Sequence, residues 1–124
     1  KYLSHSKWEP VNKILKDAFK EYSSKQYSNC ITKAITSIQA FLQITVNGKI
    51  GKLNISKLIT IGQNSNLIPK DTFTKKIFDN MESIFSIYRQ DKGIAHPPKE
   101  EATEKDARLI LNLVMIFMQH CIQD

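Results

Sequence analysis

Apolar residues recur at helical spacing in four long stretches of the chain and in one short stretch. Polar and charged residues fill the intervening positions, as is typical of amphipathic helices. The pattern predicts helices over residues 10–22, 26–45, 55–62, 71–90 and 104–122. Asn47-Gly48 and Gly51 interrupt the pattern and predict a loop. We therefore expect an all-α fold, an antiparallel helical bundle of four long helices plus one short helix.

Several predicted helices begin at residues that favour a helix start. Pro10 suits the first helical position because it has no N–H group to leave unpaired. Asn54 and Asp71 are suitable N-caps for the third and fourth helices. The run Thr103-Glu104-Lys105-Asp106 resembles a capping box in which Asp replaces the usual Glu. These signals fix where the predicted helices start.

The fifth predicted helix is apolar on almost its whole circumference. One stripe consists of Ala107, Ile110, Leu111, Val114, Phe117, Met118 and Cys121. Leu109, Leu113 and Ile116 lie on a second face. Such a helix is either central or buried twice, once in the bundle and once in a subunit interface. With the apolar surface of the fourth helix, this predicts a homodimer.

Length and composition indicate a single helical domain over residues 1–124. Because the first residue is Lys1 rather than Met, we expect the chain to be the C-terminal part of a longer protein. The longest apolar run, residues 113–118, is too short to span a membrane, and no signal peptide opens the chain. We expect a cytoplasmic protein with no membrane partner. Cys30 and Cys121 fall on apolar stripes, so we interpret both as reduced core residues.

The charge is distributed unevenly along the chain. Residues 1–76 hold thirteen lysines against four acidic residues, a net charge of +9, whereas residues 77–124 carry −3. A basic half suggests a polyanionic partner, because lysine contacts to phosphate release counterions. The alternative interpretation is a lysine-rich protein with solvated helix faces, since no dense basic run occurs.

One segment, residues 88–97, carries a candidate catalytic pair. Arg89 ends the fourth predicted helix, Gly93 breaks it, and His96 lies in the loop that follows. A guanidinium can neutralise charge that develops on phosphorus, and an imidazole can move protons near neutral pH. The alternative is a solvated Arg at a helix C-terminus and an incidental loop His. Metal-ligand clusters, P-loops and dinucleotide-binding motifs are absent from the sequence, so we expect no metal and no cofactor.

The surrounding sequence resembles the C-terminal domain of abortive-infection proteins in the HEPN superfamily. In that family a helix ends in Arg-Asn, a short Gly-containing loop leads to Ala/Gly-His, and an Ala-rich apolar helix follows. Here these elements are Arg89-Gln90, Gly93, Ala95-His96 and the apolar helix from residue 107 onwards. Residues 34–42 are also similar to the family's second helix. The chain departs from the pattern at Gln90, where Asn is usual, and at Gln39, where Glu is frequent.

The resemblance implies a metal-independent endoribonuclease that acts as a dimer in phage defence, a toxin that cleaves host or phage RNA. It implies that His96 acts as general acid or base and that Arg89 stabilises the phosphoryl oxygens, both in a cleft shared by two subunits. Gln90 and Lys92 would bind the substrate, and the product would carry a 2′,3′-cyclic phosphate. The partners expected are RNA, a second copy of the chain, and an antitoxin or N-terminal sensor domain that restrains the activity.

A second hypothesis is a non-catalytic helical module for dimerisation or nucleic-acid binding. The departures at Gln39 and Gln90 and the lysine-rich first half favour it, whereas the Arg89–His96 pair favours the enzyme.

Overall fold

The computed structural model describes residues 6–48, 51, 55–72, 75–76, 79–80, 83 and 102–122. Within these ranges all regular secondary structure is helical. A 3₁₀ turn over Ser6–Trp8 leads into α1 (Glu9–Ser23), α2 (Tyr27–Asn47), α3 (Ile55–Asn64) and a C-terminal helix (Glu104–Cys121). The all-α prediction is confirmed, and each of these four boundary pairs lies within two residues of the predicted one.

The fourth predicted helix is described in part. Residues 72, 75, 76, 79, 80 and 83 are helical and exposed. The backbone carbonyl of Asp71 accepts a hydrogen bond from the Lys75 N–H at 3.1 Å, as expected of a residue at a helix start. Lys75 forms an exposed ion pair with Asp79, one turn further on, at 3.8 Å. The apolar positions that predicted this helix, and Asn54 before α3, lie outside the described residues.

The centre of the described fold is α2, which packs against α1, α3 and the C-terminal helix. Only one of its 21 residues, Lys33, carries a charge. Its buried positions are Cys30, Ile31, Ala34, Ile35, Ser37, Ile38, Ala40, Phe41, Leu42, Gln43 and Ile44. The C-terminal helix leaves Leu109 and Ile116 exposed, at 48% and 64%. It is therefore not the central helix, and the prediction that remains for it is burial on a second face by a subunit interface.

An aromatic pair holds the N-terminal turn against the middle of the core. The ring of Trp8 stacks on that of Phe41, with centroids 4.7 Å apart and planes 21° from parallel. Both side chains are buried. The Lys7 ammonium lies 4.8 Å from the centroid of the Trp8 ring, in a cation–π contact. Trp8 thus helps to pack the start of α1 onto α2.

Both cysteines are free and buried, as the sequence predicts. Burial raises the pKa of the Cys30 thiol to about 11 and that of Cys121 to about 12. Near neutral pH both are therefore thiols rather than thiolates, and they act as small apolar core residues.

The turn after α3 depends on a glycine. The carbonyl of Gly62 accepts hydrogen bonds from the N–H groups of Leu67 and Ile68, at 2.8 and 3.2 Å. A Cβ at Gly62 would lie 2.5 Å from Cδ1 of Ile68, a side chain that is itself fully buried. The buried Gln63 amide donates to the Pro69 carbonyl at 3.1 Å and closes the turn. Together these contacts set the direction in which the backbone leaves α3 towards Asp71.

The capping box of the C-terminal helix should make a measurable contribution to the free energy of unfolding. Replacing Thr103 by alanine removes the side-chain acceptor for the Asp106 N–H, so we expect a loss of about 1 kcal/mol of unfolding free energy, as for other N-caps. Urea denaturation followed by circular dichroism would measure it. Ser65→Ala, in an exposed turn, is the control and should change stability by less than about 0.5 kcal/mol. Equal losses of unfolding free energy in the two variants would contradict stabilisation of the helix by the capping box.

Candidate functional site

The four residues predicted to form the site, Arg89, Gln90, Lys92 and His96, lie outside the described residues. The structure describes what borders them. On one side the described residues are helical at residue 83, and on the other they begin again at residue 102.

The border on the C-terminal side is a complete capping box, as the sequence predicts. The Thr103 hydroxyl accepts a hydrogen bond from the Asp106 N–H at 3.2 Å, and the Asp106 carboxylate accepts one from the Thr103 N–H at 3.0 Å. Thr103 itself has an extended backbone, with φ −101° and ψ 169°. These reciprocal bonds fix the direction in which the chain enters the helix, seven residues after His96.

A second contact ties this helix start to the end of α1. The Tyr22 hydroxyl donates a hydrogen bond to the Glu104 carboxylate. Glu104 also lies 3.5 Å from a guanidinium nitrogen of Arg108, one turn further along the same helix. The carboxylate that accepts this bond raises the pKa of the Tyr22 hydroxyl above its ordinary value. Tyr22 in turn meets Tyr27 edge-on, with ring centroids 5.9 Å apart.

The contact between Tyr22 and Glu104 could not be recognised in the sequence. Its two residues are 82 positions apart, and the spacing pattern placed Tyr22 on the apolar stripe of α1. The hydroxyl gives Tyr22 a polar end that remains at the surface while its ring packs against the core. The consequence is that the end of α1 lies beside the start of the C-terminal helix, which begins eight residues after His96 in the sequence.

The described part of the fold also has an open cavity of about 340 Å³. It is lined by Lys7, Trp8, Phe41, Thr45, Asn66, Leu67, Cys121 and Ile122. Cys121 ends the C-terminal helix, so the cavity lies about 25 Å along that helix from Thr103. Lys7 and Cys121 are its ionisable lining groups, and at a pKa of about 12 the thiol is not a nucleophile near neutral pH. The lining offers no acid–base pair for catalysis.

The described residues hold no group of three or more His, Cys, Asp or Glu side chains suited to a metal ion. Within the same residues, every helix is too short or too polar to span a membrane.

Comparison with known proteins identifies one family. The model of the Abi_C family, a HEPN-like domain, matches residues 9–123 of this chain. Comparison with curated proteins and with solved structures gives no match. The matched range includes all four described α-helices and the whole of the candidate segment from Arg89 to His96. The predicted resemblance is thereby confirmed, and the chain belongs to the HEPN-like domain family of abortive-infection proteins.

Proposed function

We propose that this chain is a metal-independent endoribonuclease that acts in abortive infection. Membership of the HEPN-like family carries the proposal, because the matched range spans the Arg89–His96 segment and the family suggests the abortive-infection role. An imidazole and a guanidinium supply the two functions that RNA cleavage needs without a metal: proton transfer and stabilisation of charge on the phosphoryl group.

In the proposed reaction the ribose 2′-OH attacks the adjacent phosphorus, the 5′-oxygen leaves, and a 2′,3′-cyclic phosphate forms. His96 takes the proton of the 2′-OH while water protonates the leaving 5′-oxygen, or His96 protonates the 5′-oxygen while water takes the proton of the 2′-OH. Arg89 offers a forked pair of N–H donors to the phosphoryl oxygens. Gln90 donates to the phosphate through its amide, and Lys92 contacts the neighbouring backbone. The attacking group is absent from DNA, so the substrate is RNA.

The lengths of the helices support this placement of Arg89. A helix over residues 71–90 would be about 30 Å long, close to the roughly 27 Å of the C-terminal helix. Side by side in an antiparallel bundle, the two helices would bring Arg89 to the level of Thr103. The remaining residues would then need only to reverse direction, and His96 would return towards Arg89.

We propose that the active form is a homodimer that uses the outward face of the C-terminal helix. Leu109 and Ile116 on this face are exposed, and Leu113 between them is half-buried. Sedimentation at tens of micromolar should show a dimer, and Ile116→Glu should convert it to a monomer because an unpaired charge would enter an apolar interface. Asn64→Glu, at the exposed end of α3, is the control and should leave the dimer intact. A monomeric wild-type protein would contradict the shared cleft.

The direct test is incubation of the purified protein with mixed RNA, with and without EDTA. We expect cleavage that EDTA does not change, products ending in a 2′,3′-cyclic phosphate, and no cleavage of a DNA oligonucleotide of matched sequence. Loss of cleavage with EDTA would contradict the mechanism, since it would assign the chemistry to a metal ion.

The second candidate function is a non-catalytic module for dimerisation or nucleic-acid binding. Gln39 and Gln90 favour it, because they replace residues that the family usually carries at these positions. RNA binding without cleavage, in an otherwise folded dimer, would support this function over the enzyme. An antitoxin or an N-terminal sensor domain remains a proposed partner under either function.

A further inference from the structure

The solvent face of α1 carries a row of three lysines, which we call the lysine row: Lys13, Lys16 and Lys20. Spacings of three and four residues put all three on one side of the helix, over about 10 Å of its length. All three side chains are exposed, and none has an ion-pair partner among the described residues. The row is therefore a set of cationic groups free to meet an external anion.

Core packing and helical phase explain why the lysines share a face. The inward stripe of α1, with Val11, Leu15 and Ala18, is buried against α2. The lysines occupy the opposite side, which the core leaves to solvent. Exposed carboxylates flank the row, Glu9 at the start of α1 and Asp17 at one edge. Glu9 lies one turn before Lys13 and Asp17 one turn after it, so the two carboxylates border the row at its N-terminal end and along one side.

An aromatic side chain lies beside the lysines. Phe19 lies one turn after Lys16, and 41% of its surface is exposed although the apolar face of α1 is buried. Exposed aromatic rings next to lysines are the elements of single-strand binding surfaces, in which bases stack on the ring and phosphates meet the charges. A duplex cannot use such a ring, because its bases are already stacked on each other.

The lysine row reaches the C-terminal end of α1, the end that contacts the start of the C-terminal helix. Tyr22, two residues after Lys20, is bonded to Glu104 at the start of the C-terminal helix. Two positions along a helix turn a side chain by about 200°, so Tyr22 faces the core whereas Lys20 faces solvent at the same end of α1. We propose that the lysine row and Phe19 bind the backbone and a base of single-stranded RNA. The proposal rests on RNA being the substrate of the proposed function, and it names the surface that holds the strand.

A lipid surface is a poorer fit to the same charges. A helix that binds a membrane inserts an apolar face beside its lysines, whereas Val11, Leu15 and Ala18 are committed to the core. Phe19 alone is too little apolar surface for insertion.

The test measures binding apart from cleavage. A fluorescein-labelled single-stranded RNA with 2′-O-methyl groups lacks the attacking hydroxyl, so fluorescence anisotropy with the wild-type protein reports affinity alone. The variant Lys13→Gln/Lys16→Gln/Lys20→Gln should bind more weakly. It should also flatten the slope of log affinity against log salt concentration by about 2, at roughly 0.7 per lost phosphate contact. The control Lys57→Gln/Lys70→Gln/Lys76→Gln removes the same charge from other exposed positions and should keep the wild-type slope.

Phe19 is tested by a second variant. Phe19→Ala should weaken binding of the single strand roughly fivefold to a hundredfold while leaving a 2′-O-methyl duplex unaffected, since only unstacked bases can use the ring. Thermal melting by circular dichroism verifies that each variant is folded.

The outcomes separate this surface from the enzymatic function. Equal salt slopes for the two triple variants would contradict RNA binding by the lysine row, even if the protein cleaves RNA. A flatter salt slope for the Lys13/Lys16/Lys20 variant, together with no RNA cleavage by the wild-type protein, would support RNA binding by the lysine row and contradict the proposed nuclease activity. Anionic phospholipid vesicles that bind more tightly than RNA, with the same dependence on the three lysines, would overturn RNA as the ligand.

Discussion

Replacing His96 by alanine is expected to lower RNA cleavage by a factor of about 10²–10⁴, the usual contribution of a positioned acid–base group. Replacing Arg89 by alanine is expected to lower it by about 10²–10³, the usual loss when a donor to the developing charge is removed. Arg89→Lys should fail as well, because an ammonium cannot offer two parallel donors to a phosphate. Rates would be measured with a labelled RNA under single-turnover conditions. Toxicity on expression should disappear together with cleavage in all three variants.

The control for this result is His120→Ala. His120 is exposed near the end of the C-terminal helix, about 25 Å from the capping box that borders the candidate site. Its replacement should leave the rate unchanged, which separates a specific effect at His96 from a general effect of removing an imidazole. Cleavage that persists in His96→Ala would show that this histidine is incidental and would contradict the proposed mechanism.

Phe41→Ala should be the most destabilising single truncation in the described core. Phe41 is 1% exposed on the central helix and carries the ring on which Trp8 stacks. We expect a loss of about 3–5 kcal/mol, since the change removes a buried aromatic side chain and leaves a cavity next to an unpaired indole. That is a large part of the roughly 5–15 kcal/mol that stabilises a typical domain.

Urea denaturation followed by circular dichroism would measure this loss. Phe19→Ala is the matched control, because the same ring is removed from a position that is 41% exposed, and its cost should be below about 1 kcal/mol. Similar midpoints for the two variants would contradict the central position of α2.

The sequence was sufficient for the local features of this fold. Helical periodicity located α1, α2, α3 and the C-terminal helix to within two residues, because the two faces of each helix differ in polarity. The capping box at Thr103 was recognisable because its bonds join residues three positions apart. The burial of Cys30 and Cys121 followed from their places on apolar stripes.

The arrangement of the helices was harder to predict. Periodicity shows which face of a helix is buried but not which helix is central, and the apolar circumference of the C-terminal helix left two alternatives, a central helix or one buried a second time in a subunit interface. A better signal was the near absence of charge from α2, where Lys33 stands alone among 21 residues. The bond between Tyr22 and Glu104 had no local signal at all, because only tertiary packing brings the two residues together.

The candidate site rests on a different kind of inference. An Arg and a His seven residues apart are a common coincidence, and it was the order of elements around them that indicated the family now confirmed over residues 9–123. The roles of Arg89, Gln90, Lys92 and His96 stay predictions, since they depend on how one segment returns to the bundle.

The stacked pair of Trp8 and Phe41 gives the protein a built-in spectroscopic reporter. Trp8 is the only tryptophan in the chain, so the whole indole emission comes from one buried ring at the start of α1. A ring shielded from water emits at shorter wavelength than a solvated one, so the emission maximum records whether the N-terminal turn is docked on α2. Circular dichroism records the helices as a whole, and the two signals together would separate fraying of this end from global unfolding.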